Sequence, residues 1–468
     1  MQTEIVKTSV SQMIKLTIFF MVILLLVSIS LIATNAAMTL KDTIYEGVDI
    51  GDISVGGLTQ EEAHDKILSF WSIRSAEPLR LVYGDKEWSF TADEIELSIA
   101  YNELVHQAYQ VGRTGNVYNQ LKERYITVNQ GYVIPLQISV NRNKLNKIVT
   151  DIRKNIDKEP QNAGLVVKGQ HITLVPDSIG KKVNIDKTLR DIETVVNSQA
   201  KSIVNLTVDD QIPTIKSSEL LGIDRIFSSY TTQFSFADSN RADNIILAAK
   251  SVNNILLRRG EIFSFNQHVG LRLKERGYKM APGYIDGVLV PDWGGGVCQV
   301  SSTIYNAALL ANMTIDERTS HFSPPAYVPL GLDATVADHY LDFRFRNTTS
   351  GNIFIKTEID GNVLTVTILG NKDEILPEIE LISTDKKVIE PKTIMKEDNK
   401  LELGKQVVEV EGEKGFIVTV YRIKRVNGKE ITREFVSYDE FKPVDTVVRL
   451  GTKPPEKLPE KQIKSKLP

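Results

Sequence analysis

The residue most able to do chemistry is Cys298, the one cysteine in a chain of 468 residues. It lies in the stretch Asp292 to Met313, DWGGGVCQVSSTIYNAALLANM, directly after Gly294, Gly295 and Gly296 and at the head of a segment with helical spacing. Three glycines make a turn in which the backbone can approach another group closely. The unpaired N–H groups and positive dipole end of a helix N-terminus favour an anion, so a cysteine placed there ionises more readily to the nucleophilic thiolate. A thiol also needs a base within hydrogen-bond reach, and the base needs a third group to orient it. His268, His321 and His339 fall in the same predicted domain. His321 is the first choice because the Pro-rich run after it is rigid enough to hold an imidazole, and Asp333, Asp338 and Asp342 offer orienting carboxylates. The order Cys, His, Asp is that of several thiol acyl-transferring chains.

Two plainer readings compete. A free cysteine is ordinarily a small buried apolar residue, and a Cys/His metal site is the other possibility, although no pair here has zinc-ligand spacing. If the thiol is catalytic, backbone N–H groups around Gly295, Gly296 and Cys298, with Gln299 and Ser301 beside them, are the oxyanion and substrate-binding candidates. Such a donor is typically worth about 3–4 kcal/mol. Arg318 or Arg272 is placed to hold a substrate carboxylate, against the default of a solvated surface charge. No cofactor and no metal are expected.

These side chains need elements to position them. Val300, Ile304, Ala307, Ala308 and Ala311 recur near helical spacing and form a packing face behind the thiol. Ile245, Ala248, Ala249, Val252 and Leu256 predict an earlier helix of about four turns, closed by Gly260. GEIFSFN begins a strand or turn. Pro324, Pro325 and Pro329 keep HFSPPAYVPLGLDATV extended or looped. LDFRFRN, NIFIKTEI and NVLTVTIL alternate as strands, the last two joined at Asp360-Gly361-Asn362, so the sheet is expected to be antiparallel.

The flanks say where the thiol works. Leu16 to Leu40 carries no charge, long enough for a span that needs about 20 apolar residues. Lys7 and Lys15 precede it and acidic residues follow, which puts the N-terminus in the cytoplasm and the rest of the chain outside. The alternative is a cleaved signal peptide, against which the apolar run is long. Between Tyr45 and Ile215 short strands and amphipathic helices repeat loosely, with Thr59 and Glu62 forming a predicted capping box. His64, His106 and His171 in this region are isolated and read as structural. From Pro377 the pattern is all β, with the hairpin turn Asn427-Gly428, and Lys453 to Pro468 reads as a disordered tail.

Composition excludes several classes. The formal net charge of −3 gives no reason to expect nucleic acid, and one cysteine rules out an internal disulfide or a multi-cysteine cluster. There is no Walker loop, HExxH or GxGxxG after a strand.

Three resemblances follow from these motifs. YEGVDIGDISVGGLTQEEA, AYQVGRTGN and EPQNAGLVVKGQHITLVPDSIGKKVN resemble the YoaR-type peptidoglycan-binding repeats. GEIFSFN, PDWGGGVCQVSSTIYNAALLANM, ERTSHFSPPAYVPLGLDATV and LDFRFRN resemble the VanW domain, across about residues 225 to 370. LELGKQVVEVEGEKG, VNGKE and VVRLG resemble the G-five domain, an extracellular module associated with cell-wall glycan. The VanW resemblance, named from glycopeptide-resistance clusters, implies a role in the cell wall and, with some members, an L,D-transpeptidase using the domain's cysteine. Carried over, it implies Cys298 as nucleophile and His321 as base, with Asp333 in the orienting role.

The expected fold is a multidomain α+β chain with one transmembrane helix, two α+β repeats, an α+β VanW domain with an antiparallel sheet, and a C-terminal all-β module. The expected boundaries are 1–40 for the cytoplasmic end and anchor, 41–125 and 126–220 for the repeats, 221–372 for the VanW domain, 373–452 for the G-five module and 453–468 for the tail. The expected function is a membrane-anchored transpeptidase acting on peptidoglycan stem peptides outside the cell. A thiol carboxypeptidase or endopeptidase, or a non-catalytic scaffold binding wall glycan, are the alternatives.

Overall fold

The computed structural model describes residues 2–198, 202–285 and 288–454. The tail expected to be disordered lies, from residue 455 on, outside the described residues. The chain divides into two compact units, Met1–Pro160 with Ile179–Ile212, and Gln161–Ser178 with Pro213–Pro468.

The first unit opens with the helix Gln2–Thr39. Its segment Ser11–Thr39 contains an 18-residue window with a mean hydropathy of 2.9 and is long and apolar enough to cross a membrane. The end of this helix is fastened to the helix Val117–Gln130: the Asn35 amide donates to Gln120 (2.8 Å) and the Arg124 guanidinium to the Thr39 hydroxyl (2.9 Å). The helix Gln60–Ala76 starts at the predicted capping box, with Thr59 accepting from the Glu62 N–H and Glu62 accepting from the Thr59 N–H. Strands from the two stretches read as successive repeats share sheets. Val48–Ile50 pairs in parallel with Tyr132–Ile134, and Leu79–Tyr83 with Ile203–Asn205. One core, with Val48, Ile67, Leu81, Val149 and Ile192 fully buried, serves both.

In the second unit a four-stranded antiparallel sheet runs in the order Arg225–Gln233, Val363–Gly370, Ile353–Asp360, Ile255–Leu257. The predicted hairpin at Asp360 closes with Asp360 opposite Val363. The helix Val297–Leu310 packs across this sheet. The earlier helix is shorter than its apolar spacing predicts. It spans Ser239–Ser251 under an Asp238 N-cap, and Leu256 belongs to the strand Ile255–Leu257. Asn254, with φ 58°, turns the chain well before Gly260, which sits in the next turn. Among the described residues, those from 378 to 453 form strands as their only regular elements. Glu378–Ile389, Gly415–Val426 and Lys429–Phe441 make one sheet, and the hairpin at Asn427-Gly428 takes positive φ at both positions, as a primed turn requires. This sheet shares the main core: Val420 is fully buried among residues such as Leu309 and Leu332.

Candidate active site

The three glycines are needed for different reasons. Gly294 and Gly296 have φ of 79° and 102°, a region that suits glycine, and Gly296 is the N-cap of the cysteine helix. A Cβ on Gly295 would sit 2.5 Å from the Ala281 carbonyl oxygen of the neighbouring hairpin, so only glycine fits. The helix begins at Val297 and places Cys298 in its first turn, half-buried, while its neighbours from Val297 to Leu309 are buried. The helix therefore has no polar face: the expected packing face is part of an all-round burial.

That burial is made tolerable by polar side chains that tie the helix to the segment bearing Asp333. The Ser301 hydroxyl donates to the Ala334 carbonyl (2.6 Å), the Ser302 hydroxyl accepts from the Ala334 N–H (2.9 Å), and the Asn306 amide donates to the Leu332 carbonyl (2.6 Å). A single antiparallel bridge then pairs Thr319 with Thr335, the Thr335 N–H donating to the Thr319 carbonyl at 2.8 Å. Two residues inward on each side, this register sets His321 opposite Asp333. Asp333 Oδ2 accepts from the His321 N–H at 2.7 Å and lies 2.6 Å from Nδ1. With Nδ1 so held, Nε2 is the ring nitrogen left for the thiol, and the imidazole is near enough to the Cys298 sulfur for each group to bear on the other's ionisation. Sγ also lies 3.5 Å from the Val336 carbonyl.

The electrostatics favour a thiolate–imidazolium pair. Burial raises the Cys298 pKa, but its hydrogen bond and charge attraction to His321, with Arg272 adding to them, pull it below that of an ordinary thiol. Burial would strip the proton from His321, and the bonds to Asp333 and Cys298 reverse this, raising its pKa to about 9. Asp333, only 1% exposed, is opposed by burial yet kept below the usual carboxylate range by His321 and by the Arg318 charge. The ring of Tyr327 stands edge-on to His321 at 6.5 Å, and burial pushes its phenol well above the ordinary value.

The remaining candidates sit differently. Arg318 is buried, and its guanidinium is held by Asp333 (3.0 Å), the Asp333 carbonyl (2.6 Å) and Asp439, so it faces inward and not toward a substrate carboxylate. Arg272 is likewise buried against Asp338 and Asn266. The Gln299 amide is taken up by Arg241 (2.9 Å) and the Gln233 carbonyl (2.8 Å), and the Ser301 hydroxyl by Ala334, which leaves neither side chain for an oxyanion. The backbone retains a donor: Val297 and Gln299 N–H groups go to the Gly294 and Gly296 carbonyls at 3.0 Å, while the Cys298 N–H has no acceptor among the described residues. His268 is stacked on Phe263 (5.2 Å), and burial lowers its pKa. His339 is exposed and lines, with Asp338 and Asp342, a cavity of about 530 Å³ whose walls contain no member of the Cys298, His321, Asp333 set. Among the described residues no cluster of His, Cys, Asp and Glu is placed to hold a metal. Ser302, Asn306, Tyr327 and Asp439 were not anticipated; the first two show in sequence only as polar interruptions of an apolar helix.

Family models match three parts of the chain. Residues 240–369 match the VanW-like protein family, residues 88–205 the family described as "Putative peptidoglycan binding domain", and residues 381–453 the G-five domain. The chain is thus a modular, cell-wall-associated protein with one half-buried thiol close to a His321–Asp333 pair. Its relatives include the uncharacterized protein YoaR of Bacillus subtilis, 34% identical over 246 residues, covering 52% of this chain and 80% of YoaR. The vancomycin B-type resistance protein VanW of Enterococcus faecalis is 30% identical over 138 residues, 28% of this chain and 50% of that protein. A solved IgA1 protease G-five domain is 32% identical, covering 16% of this chain and 93% of the domain, with a TM-score of 0.14. The chain belongs to the family of YoaR, and its residues 240–369 form a VanW-like domain.

Proposed function

We propose that this protein is a cysteine L,D-transpeptidase of peptidoglycan, held at the outer face of the membrane by its N-terminal helix and at the wall by its flanking modules. The observation that carries the reading is the contact series from Cys298 to His321 to Asp333, with a thiol drawn toward thiolate beside an imidazole that keeps its proton. A thiolate–imidazolium pair suits acyl transfer because the nucleophile is already ionised and the acid is already in place.

The Cys298 thiolate attacks the carbonyl between the third and fourth residues of a stem peptide, forming a C–S bond. The oxyanion meets the Cys298 N–H at the helix N-terminus. As the amide C–N bond breaks, imidazolium gives its proton to the departing nitrogen and D-alanine leaves. An amine of a neighbouring stem loses a proton to the imidazole, attacks the thioester and releases the thiolate, which restores the starting pair. Asp333 holds the ring in register throughout and stays ionised.

The test uses the full-length chain in detergent with purified tetrapeptide muropeptides, followed by mass spectrometry. A thioester mass on Cys298 with crosslinked dimers is expected; thioester with trimmed monomers alone assigns water as the acceptor and makes the chain a carboxypeptidase. If the wild type and Cys298→Ala leave identical muropeptide profiles, the acyl-transfer reading is wrong and the chain is a wall-binding scaffold.

A further inference from the structure

We infer that Asp439, carried by the G-five module, is a positioning residue for the thiol site, acting through Arg318 and Asp333 on His321. The inference rests on the acyl-transfer reading above and extends it to a part of the chain that the motifs mark only as a wall-binding β module.

The geometry is a continuous row of buried charges. Asp439 lies in the strand Lys429–Phe441 and its side chain is 6% exposed. One of its carboxylate oxygens meets Arg318 and the other accepts from the Ser437 hydroxyl at 2.7 Å. Arg318, 7% exposed, forks between Asp439 and Asp333, and Asp333 passes its other oxygen to His321. The Arg318 guanidinium also lies 5.4 Å from the Tyr305 ring. Nearby groups that bear on Cys298 and His321 are Arg272, whose charge reaches the thiol, and Tyr327.

Charge balance gives the row a purpose. A buried guanidinium with one carboxylate would neutralise it, leaving little negative potential for an imidazolium on the far side. A second carboxylate changes the sum: Asp439 balances Arg318, and the Asp333 charge remains available to His321. The same module grips the other end of the cysteine helix, where the buried Arg422 donates to the Met313 carbonyl at 2.8 Å. The G-five sheet therefore holds both the helix bearing the nucleophile and the residue pair orienting the base.

The test measures iodoacetamide alkylation of Cys298 against pH in the full-length chain, for wild type, Asp439→Asn, Asp439→Ser and Asp439→Glu, with folding checked by near-ultraviolet circular dichroism. Removing the charge lowers the proton affinity of His321, so the ion pair is less populated and neutral-pH alkylation falls by about tenfold for each unit lost. In Asp439→Glu the charge returns and the profile moves back toward wild type. A folded neutral variant with the wild-type profile overturns the inference, as does failure of both neutral variants to fold, which makes Asp439 structural. A wild-type profile with an ordinary midpoint near 8.5 sinks the acyl-transfer reading itself, independently of Asp439.

Discussion

Replacing Asp333 by Asn tests the core of the proposed mechanism, because it keeps the side-chain shape and removes one charge. In the native site His321 is lifted from 6.5 to about 9 against the opposing effect of burial. A rise of between two and three units corresponds to roughly 3 kcal/mol favouring imidazolium, at about 1.36 kcal/mol per unit. The bond to Asp333 is the largest single cause of the rise, followed by the interaction with Cys298. The sign follows directly: without the carboxylate the protonated ring loses its partner, the His321 pKa falls, and the thiol, deprived of its counter-ion, moves up. In Asp333→Asn, alkylation of Cys298 at pH 7 slows by about tenfold or more and its midpoint returns toward about 8.5. Acyl transfer falls by about 10²–10⁴, the usual contribution of a general acid–base group. Thermal unfolding supplies the control. Breaking a buried ion pair costs about 3–5 kcal/mol when the partner is left alone, and less here because Arg318 keeps Asp439. A folded Asp333→Asn protein with an unchanged alkylation midpoint would refute the argument that Asp333 sets the protonation of His321.

Other outcomes follow from the same geometry. Gly295→Ala forces a Cβ against the Ala281 carbonyl and lowers stability by about 1–3 kcal/mol, seen as a lower denaturant midpoint with slower alkylation. Arg422→Met leaves the Met313 carbonyl without its donor and costs about 1–3 kcal/mol in chemical denaturation. Transpeptidation declines as pH rises through about 9, where His321 gives up the proton needed by the leaving nitrogen, and a rate that keeps climbing past that point contradicts its role as the acid.

What could be read from sequence was what local physics decides. The capping box at Thr59, the hairpins at Gly361 and Gly428 and the glycine turn before Cys298 depend on residues a few positions apart, and each is formed by the residues named in advance. The His321–Asp333 contact was within reach because the two lie twelve residues apart on a folded-back segment. Arg318, expected at a substrate carboxylate or as a solvated surface charge, turns inward. An arginine is a surface charge by default, and its inward fork depends on Asp439, 121 residues further along, which no local pattern reveals. Gln299 and Ser301 are drawn inward for a related reason, since a helix buried on every side turns its polar side chains into internal ties. The helix expected to reach Gly260 ended early because Asn254 adopts a left-handed turn, a choice that apolar spacing does not record.

The solitude of Cys298 has a chemical consequence of its own. Thiols with lowered pKa and some exposure are the first that peroxide attacks, giving a sulfenic acid. A protein with a neighbouring cysteine condenses that species into a disulfide and is later reduced back. This chain has no second cysteine, so an oxidised Cys298 is left to capture by a thiol from outside the protein, closure onto a backbone nitrogen as a sulfenamide, or further oxidation to the irreversible sulfinic acid. The arrangement that spares the thiol from internal mispairing also makes it sensitive to a single oxidant encounter. On the acyl-transfer reading, the activity of Cys298 would then track the supply of small thiols around it.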